Sequence, residues 1–387
     1  MYKIATLNKI SPAGLNIFDE KYSVIDNLED ATGIMVRSHD MKSMEFSDEL
    51  LAIARAGAGT NNIPVDVCAN KGIVVFNTPG ANANAVKELV IAAMFMAARN
   101  LPAGMQWVKD LETDVAKEVE KGKGQFAGRE ICGQTLGVVG LGAIGVLVAN
   151  TAQKLGMKVI GYDPFITLKS AHELSHKIDV TQDLAYLLDK SDFVSLHVPS
   201  VDSTKGMMDQ RRFAQMKEGS VLLNFSRDKL INETALLDAL ESEHIRKYIT
   251  DFPNDNLVNK KGVILIPHLG ASTKEAEDNC ASMAAEELMD YIENGNITNS
   301  VNFPNCSMGP LNPEALARVC ILNKNIPSML GKITGILADL NVNIRDLTNK
   351  SKGDYACTIM DIDGDIDQKT FYDALNIEGI IKIRFIS

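Results

Sequence analysis

The chain has 387 residues, which is enough for two or three domains. Its 45% hydrophobic and 23% charged residues are typical of a soluble globular protein. The formal net charge of −11 argues against nucleic acid or an anionic membrane as a partner, because both carry negative charge themselves.

The cysteines and the apolar runs bear on the cell compartment. None of the cysteines forms a C-x-x-C pair, and this scatter is typical of reduced thiols in the cytoplasm. They are Cys68, Cys132, Cys280, Cys306, Cys320 and Cys357. The N-terminal segment predicts no signal peptide, and the longest apolar run, residues 89–98, is too short to cross a bilayer. We therefore expect a cytoplasmic protein with no membrane contact.

Residues 1–88 have an α/β pattern of their own. Short apolar runs alternate there with polar helical stretches and predict strands at residues 4–7, 33–36, 51–54 and 73–76. A long apolar helix is expected at residues 85–99, followed by a polar helix at about 105–121.

The segment 136–163, LGVVGLGAIGVLVANTAQKLGMKVIGYD, predicts a dinucleotide site. A strand at 136–139 precedes Gly140, Gly142 and Gly145, and a helix over 144–155 follows them. The glycines permit a tight turn, close approach to a pyrophosphate and close packing of helix on strand. Asp163 ends the next strand, where a carboxylate accepts from ribose hydroxyls and repels a 2′-phosphate, which favours NAD over NADP. The alternative is a structural glycine turn without a ligand.

This glycine turn comes late in the chain, which suggests that a nucleotide domain is inserted into another domain. Further strands are expected at 193–197, 221–225, 248–250 and 263–266, separated by helices near 181–189, 207–217 and 233–242. The pattern predicts a doubly wound parallel sheet of the Rossmann type. A helix over 273–293 then returns the chain to the first domain.

The C-terminal region follows a proline-containing stretch at 300–313 that is typical of a linker. Its predicted elements are a strand at 317–322, a helix at 328–340, strands at 342–348 and 355–362, a helix at 368–375 and a strand at 380–385. This βαββαβ order predicts a small ferredoxin-like module.

Several polar positions follow predicted strands of the nucleotide domain. Arg227 can grip a substrate carboxylate bidentately, although an arginine in such a loop can also be merely solvated. His268 can exchange a proton near neutral pH, as an acid/base residue must; the alternative interpretation is that it has only a structural role. Asp251 and Asp255 are the nearby acids that could orient His268, whereas we interpret His197 as lining the site.

One motif points elsewhere. His172 and His176 match the H-E-x-x-H pattern of zinc proteases. They lie in a polar, lysine-flanked segment without an apolar face to bury a metal, and no third ligand with a recognised spacing follows. We therefore predict no metal site.

Taken together, the motifs identify a resemblance. From about residue 30 to 305 the chain resembles the D-isomer-specific 2-hydroxyacid dehydrogenases, through the segments RAGAGTNNI, NTPGANANAVKEL, SLHVPSVDSTKGMM, LLNFSRD, TDFPND and IPHLGAST. The resemblance implies that Arg227 binds the substrate carboxylate and carbonyl, that His268 is the acid/base, and that an acid orients His268. That acid is usually a glutamate, and Asp255 stands at the best match with a side chain shorter by one methylene.

The resemblance also implies the remaining site residues. An added cation at Lys87, where the family commonly has alanine, suits a phosphorylated substrate. Arg37 and Arg55 are further candidates for contact with the substrate phosphate or carboxylate. The implied substrate-binding residues are Arg37, Arg55, Gly57, Asn82 and Lys87. The implied NAD-binding residues are Gly140, Gly142, Ala143, Ile144, Gly145, Asp163, His197, Val198, Pro199, Ser226, Asp251 and Gly270.

The C-terminal module resembles an ACT domain, which in this family can bind serine. Asn323, Asn325 and Asn343 are the implied contacts to an L-serine effector, and the alternative is a dimerising module without a ligand. The expected architecture is a flavodoxin-like substrate-binding domain (1–88 and 271–305), an NAD-binding domain (89–270), a linker (306–316) and an ACT-like domain (317–387). We expect a homodimer or homotetramer.

The activity implied by the resemblance is the NAD-dependent oxidation of 3-phospho-D-glycerate to 3-phosphohydroxypyruvate, the first step of L-serine biosynthesis. One alternative is a dehydrogenase for another D-2-hydroxy acid. The other is a catalytically silent homologue that senses NAD and amino acids, against which the presence of both Arg227 and His268 argues.

Overall fold

The computed structural model describes residues 1–363 and 368–387. The first sheet is built from the N-terminal part of the chain. Its strands are β1 (Tyr2–Leu7), β2 (Tyr22–Ile25), β3 (Gly33–Val36), β4 (Ala52–Arg55) and β5 (Val74–Asn77). Helix α1 (Pro12–Leu15) lies between β1 and β2, and helix α2 (Val65–Asn70) between β4 and β5. All strand pairs are parallel, in the order β2-β1-β3-β4-β5. This is the flavodoxin-like order that the sequence predicted.

The second sheet follows three helices, α3 (Ala83–Ala98), α4 (Leu101–Lys109) and α5 (Val115–Gly122). Its strands are β6 (Thr135–Val139), β7 (Lys158–Tyr162), β8 (Asp179–Thr181), β9 (Phe193–Leu196), β10 (Ser220–Asn224), β11 (Ile245–Thr250) and β12 (Val263–Leu265). The intervening helices are α6 (Ala143–Lys154), α7 (Leu168–Glu173), α8 (Leu184–Lys190), α9 (Gln210–Gln215) and α10 (Glu233–Glu241).

The strand order of this sheet is β12-β11-β10-β9-β6-β7-β8, and every pair is parallel. The order therefore reverses between β6 and β9, which makes their carboxyl ends the switch point where ligands bind in open α/β sheets. The doubly wound parallel sheet is confirmed.

The C-terminal part begins with helix α11 (Lys274–Asn294). It continues through β13 (Ala317–Lys324), α12 (Met329–Asp339), β14 (Asn343–Lys352), β15 (Tyr355–Asp363), α13 (Gln368–Ala374) and β16 (Ile380–Ile386). The last four strands form an antiparallel sheet in the order β14-β15-β13-β16. The predicted βαββαβ order is therefore confirmed.

The chain divides into two compact units. The terminal unit comprises Met1–Ala81 and Glu277–Ser387, and the central unit comprises Asn82–Ala276. In the terminal unit, α11 buries an alanine-, leucine- and tyrosine-rich face in the same core as the first sheet and one face of the C-terminal sheet. The C-terminal sheet thus shares a core with the first sheet.

One local prediction was wrong, and two strands were missed. The polar helix expected at 105–121 is two helices, α4 and α5, because Asp114 before α5 adopts a left-handed conformation with φ of 50°. Strands β2 and β8, each at one edge of its sheet, were not predicted: β8 is three residues long with Val180 as its one apolar residue, and β2 is only four residues long. Among the described residues, no helix is both long and apolar enough to span a membrane.

Candidate active site

The glycine turn connects β6 to α6 in the central unit. Gly140 has a φ of 96°, a left-handed conformation that favours glycine. A Cβ at Gly145 would lie 1.9 Å from the carbonyl oxygen of Gly140, so this position admits no side chain. A Cβ at Gly142 would meet no atom of the described residues within 4 Å, which leaves open space at the N-terminus of α6. This free space and the unpaired N–H groups of the helix fit a pyrophosphate.

Asp163 is fixed beside this turn by two backbone donors. Leu141 N–H donates to its Oδ2 at 2.9 Å, and Phe165 N–H donates to its Oδ1 at 2.8 Å. Each carboxylate oxygen retains a lone pair, so Asp163 can still accept from ribose hydroxyls. Its fixed negative charge disfavours a 2′-phosphate at the same place.

His197 lies directly after β9, on the other side of the switch point. Its Nε2 and the Ser195 hydroxyl are 2.8 Å apart, and burial lowers the pKa of the imidazole to about 4. The ring is therefore neutral at physiological pH. A Cβ at Gly140 would touch both the His197 carbonyl and Val198, so these two residues line the glycine turn, while the role of Pro199 stays a prediction.

Arg227 follows β10 and is held through its backbone. Asn224, which is fully buried, donates from Nδ2 to the carbonyl of Arg227 at 2.9 Å and accepts from Ser226 N–H at 3.2 Å. The guanidinium itself is exposed and donates to the Ser226 carbonyl at 2.6 Å. A rigid backbone thus carries a charged group that remains available to an anion.

Asp251 lies after β11 and is 1% exposed. Gly270 N–H donates to its Oδ2 at 3.1 Å, while Oδ1 is buried without a hydrogen-bond partner among the described residues. Burial raises the pKa of this carboxyl, and the charges of His268 and Arg227 partly offset that rise. Asp251 therefore lies within electrostatic reach of both predicted catalytic groups.

His268 follows β12 and is exposed. Its ring packs edge-on against Phe252, with the ring centroids 4.9 Å apart. Because Phe252 is adjacent to Asp251, the same turn supports the imidazole by ring contact and by charge.

Asp255, the acid predicted to pair with His268, is on an exposed turn. The neighbouring Asn254 and Asn256 anchor this turn by donating to Glu233 at 2.7 and 2.6 Å. The structure thus brings Arg227, Asp251 and His268 together, while the pairing of Asp255 with His268 stays a prediction.

Arg37, Arg55 and Gly57 cluster in the terminal unit at the carboxyl ends of β3 and β4. Arg55 Nε donates to the Arg37 carbonyl at 3.0 Å, and Arg37 forms an ion pair of 2.7 Å with Glu277. A Cβ at Gly57 would lie 2.4 Å from Nη1 of Arg55, so glycine makes room for this guanidinium. The cluster is suited to binding an anion.

Asn82 and Lys87 lie in the central unit, at the start of α3. Lys87 Nζ is 3.5 Å from the Glu88 carboxylate, and its side chain is only 17% exposed. Glu88 in turn accepts from Asn84 at 2.9 Å. The adjacent Val86 contacts the position of Gly270, so Lys87 is next to a residue that packs on the Asp251 turn.

The three predicted effector residues are not brought together within one chain. Asn323 is buried and donates to the Lys324 carbonyl, and Asn325 donates to the Gly353 carbonyl at 2.9 Å. Asn343 lies at the other end of the sheet. It pairs with Asp363 at one end of β15, whereas Asn323 pairs with Ala356 near the opposite end of that strand. Their role as effector contacts stays a prediction.

The H-E-x-x-H segment does not form a metal site among the described residues. His172 lies on the short helix α7 and His176 lies beyond its end, both exposed. Within residues 1–363 and 368–387, no group of three His, Cys, Asp or Glu side chains is arranged to hold a metal.

Sequence reasoning missed several supporting residues. Asn224 positions the backbone of Arg227, and Phe252 packs against the ring of His268. Ser195 contacts the imidazole of His197, and Glu277 forms an ion pair with Arg37. A polar residue at the end of an apolar strand, as at Asn224, is a signal that could have identified the first of them.

Comparison with known proteins agrees with this geometry. Residues 91–270 match the NAD-binding domain model of the D-isomer-specific 2-hydroxyacid dehydrogenases. The chain is 33% identical to D-3-phosphoglycerate dehydrogenase of Escherichia coli, over 92% of this chain and 86% of the relative. It is 31% identical to D-3-phosphoglycerate dehydrogenase 1 of Saccharomyces cerevisiae, over 97% of this chain and 85% of the relative.

A solved structure extends the comparison to the fold. NAD⁺-bound 3-phosphoglycerate dehydrogenase of Entamoeba histolytica aligns with a TM-score of 0.62 and 28% identity, covering 78% of this chain and 98% of that one. The glycine turn, Asp163 and the Arg227–Asp251–His268 cluster occur in the part of the chain that the family model matches. The chain therefore belongs to the D-isomer-specific 2-hydroxyacid dehydrogenase family and is an NAD-dependent oxidoreductase.

Proposed function

We propose that this chain oxidises 3-phospho-D-glycerate to 3-phosphohydroxypyruvate with NAD, the first step of L-serine biosynthesis. The observation that carries the proposal is that Arg227, Asp251 and His268 follow three neighbouring parallel strands, β10, β11 and β12, at the same edge of the sheet. The charges of His268 and Arg227 also act to lower the pKa of the Asp251 carboxyl. The substrate assignment is supported by relatives at 31% and 33% identity that are named D-3-phosphoglycerate dehydrogenase.

Each residue of this cluster receives a role from its chemistry. His268 takes the proton of the substrate hydroxyl, since a neutral imidazole is a base near physiological pH. Asp251 orients the imidazole and stabilises the imidazolium that forms. Arg227 holds the substrate carboxylate and polarises the developing carbonyl. NAD, when bound, supplies the acceptor for the hydride.

The cofactor is assigned to the glycine turn. Gly142, Ala143 and Ile144 offer backbone N–H groups to the pyrophosphate, and Asp163 accepts from the adenosine ribose. The neutral His197, whose buried Nδ1 has no hydrogen-bond partner among the described residues, is assigned to the cofactor side of the site.

The substrate phosphate is assigned to the cationic residues predicted for it. Arg37 and Arg55 supply guanidinium groups suited to bidentate phosphate binding, and Gly57 makes room for the second of them. Lys87 is assigned a supporting role as a further cation.

The C-terminal sheet is proposed to be an ACT-like regulatory module for L-serine. The support is its βαββαβ order and its antiparallel arrangement β14-β15-β13-β16. We further propose that the enzyme is a homodimer or homotetramer in the cytoplasm.

A substrate panel tests the proposal. Purified protein with NAD should form NADH with 3-phospho-D-glycerate, and His268→Gln should lower kcat by about 10²–10⁴-fold, the usual contribution of a general base. His176→Gln, at an exposed histidine outside the cluster, is the matched control and should keep full activity. Turnover of unphosphorylated D-2-hydroxy acids alone would reassign the substrate. Binding of NAD without any turnover would indicate a silent sensor.

A further inference from the structure

The ion pair between Arg37 and Glu277 occupies the anion cluster of the terminal unit. Arg37 follows β3, Glu277 lies in the first turns of α11, and the two charged atoms are 2.7 Å apart. The side chains are 39% and 42% exposed, so both groups are reachable from solvent. This inference rests on the proposed function, in which Arg37 binds the substrate phosphate.

The pair is coupled to the second arginine of the cluster. Arg55 Nε donates to the carbonyl of Arg37 at 3.0 Å. Burial raises the pKa of the nearby Cys280 thiol, while Arg55 and Arg37 both act to lower it and Glu277 acts to raise it. The charges of Arg37, Arg55 and Glu277 thus all act on the same thiol, that of Cys280 in the first turns of α11.

A carboxylate on Arg37 has two consequences for an incoming anion. It fills one binding face of the guanidinium, and it places a negative charge where a phosphate has to bind. Exposed ion pairs are worth only about 0–1 kcal/mol, so a phosphate that also reaches Arg55 can displace Glu277. A substrate without a phosphate has no need to displace it.

We propose that Glu277 is an internal competitor of the substrate phosphate and thereby sets the KM for phosphorylated substrates. In the free protein it satisfies Arg37 and holds it in place. When the phosphate binds, the ion pair between Glu277 and Arg37 breaks. When the product leaves, the ion pair forms again. Glu277 is therefore a specificity-determining residue that touches neither the reacting carbon nor the proton that is transferred.

Glu277→Gln tests this inference by removing the charge while keeping the shape of the side chain. The KM for 3-phospho-D-glycerate should fall about threefold to fivefold, the factor that corresponds to an exposed ion pair. The KM for an unphosphorylated D-2-hydroxy acid should stay unchanged. Glu275→Gln, at an exposed acid of the same helix turn, is the matched control and should have neither effect. Glu277→Ala provides a second variant should the glutamine variant fold poorly.

Sulfate gives a readout that does not depend on turnover. In thermal unfolding at constant ionic strength, sulfate should stabilise Glu277→Gln at a concentration about threefold to fivefold lower than it does the unmodified chain. Arg37→Met combined with Glu277→Gln should abolish this gain.

The outcomes separate the two proposals. A higher or unchanged KM in Glu277→Gln, or an equal change for phosphorylated and unphosphorylated substrates, would overturn the competitor role. If no phosphorylated substrate is turned over at all, the proposed function fails, but the sulfate comparison still decides whether Glu277 competes for Arg37.

Discussion

His268 needs a partner that holds the imidazole in place and stabilises its charged form, and two acids compete for that role. Asp251 is 1% exposed, with one oxygen bound to Gly270 N–H and the other without a partner among the described residues. Asp255 is exposed on the following turn. A carboxylate in a low-dielectric environment interacts more strongly with a neighbouring imidazolium than an exposed one does, which favours Asp251.

Asp251→Asn tests this assignment. Loss of the negative charge destabilises the protonated form of the base, so the acidic limb of the kcat/KM profile should move to lower pH. The maximal rate should fall about 10–100-fold, because the imidazolium formed during oxidation loses its stabilisation. Steady-state kinetics over a pH series measures both effects. Asp255→Asn is the matched control, and a shifted limb in that variant alone would transfer the role to Asp255.

The sequence narrowed this partner to two residues but did not choose between them. Asp251 and Asp255 have the same chemistry and lie in the same short segment. What separates them is the contact of Asp251 with Gly270, a residue from the loop after β12. Such a contact depends on how two loops pack in space, and no local pattern of residues encodes it.

At the scale of an element, the β6–α6 turn was the most predictable part of the molecule. Gly140 and Gly145 have separate steric reasons to be glycine, namely a left-handed φ and a contact of 1.9 Å for a Cβ. Both reasons follow from the turn itself, which the motif specifies locally. Edge strands β2 and β8 carry no comparable signal, because each is short and mostly outside the core. The sequence therefore missed one edge strand of each parallel sheet, while it predicted the opposite edge strands β5 and β12.

Two glycine variants should separate folding from cofactor binding in this element. Gly145→Ala places a methyl group against the Gly140 carbonyl and should lower the free energy of unfolding by about 1–3 kcal/mol, the usual cost of overpacking. In Gly142→Ala the added methyl group meets no atom within 4 Å in the part of the chain that the structure describes, so the unfolding free energy should be nearly unchanged. Its affinity for NAD should nevertheless fall, because the methyl group fills the space assigned to the pyrophosphate. Urea unfolding and fluorescence titration with NAD measure the two properties. Equal NAD affinity in Gly142→Ala and the unmodified chain would contradict the cofactor assignment.

At the scale of the whole molecule, the terminal unit joins two sheets that the sequence predicted as separate domains. Cations of the C-terminal sheet donate to backbone carbonyls of the earlier part of the unit. Lys382 donates to the carbonyls of Asp48 and Leu50 at 3.0 and 2.8 Å. Burial lowers the pKa of Lys382 to about 8.

Strand β13 is buried along nearly its whole length, on both faces, although it belongs to a small four-stranded sheet. Its apolar sequence is compatible with this burial, but it does not identify the surface that covers it.

Arg384 tests how firmly the C-terminal sheet is attached. Its guanidinium donates to the carbonyls of Tyr291 and Ile292 at 2.9 and 2.8 Å and lies over the Tyr291 ring, 4.6 Å from its centroid. Because these carbonyls lie in the last turns of α11, the cation also interacts favourably with the negative end of the helix dipole. Arg384→Met keeps the apolar stem but removes these donors, and it should cost about 1–3 kcal/mol of unfolding free energy.

Hydrogen exchange locates that loss. In Arg384→Met, the amides of β13 and β16 should exchange faster, while those of β6 in the central unit should not change. Arg345→Met is the matched control, because Arg345 pairs with Asp363 and Glu314 near the edge of the same sheet and is 37% exposed. That variant should cost less than about 1 kcal/mol, as is usual for exposed ion pairs. Equal exchange of β13 in the two variants would show that Arg384 does not hold the sheet in place. Faster exchange confined to Arg384→Met would show that the C-terminal sheet is held to the rest of its unit through the end of α11.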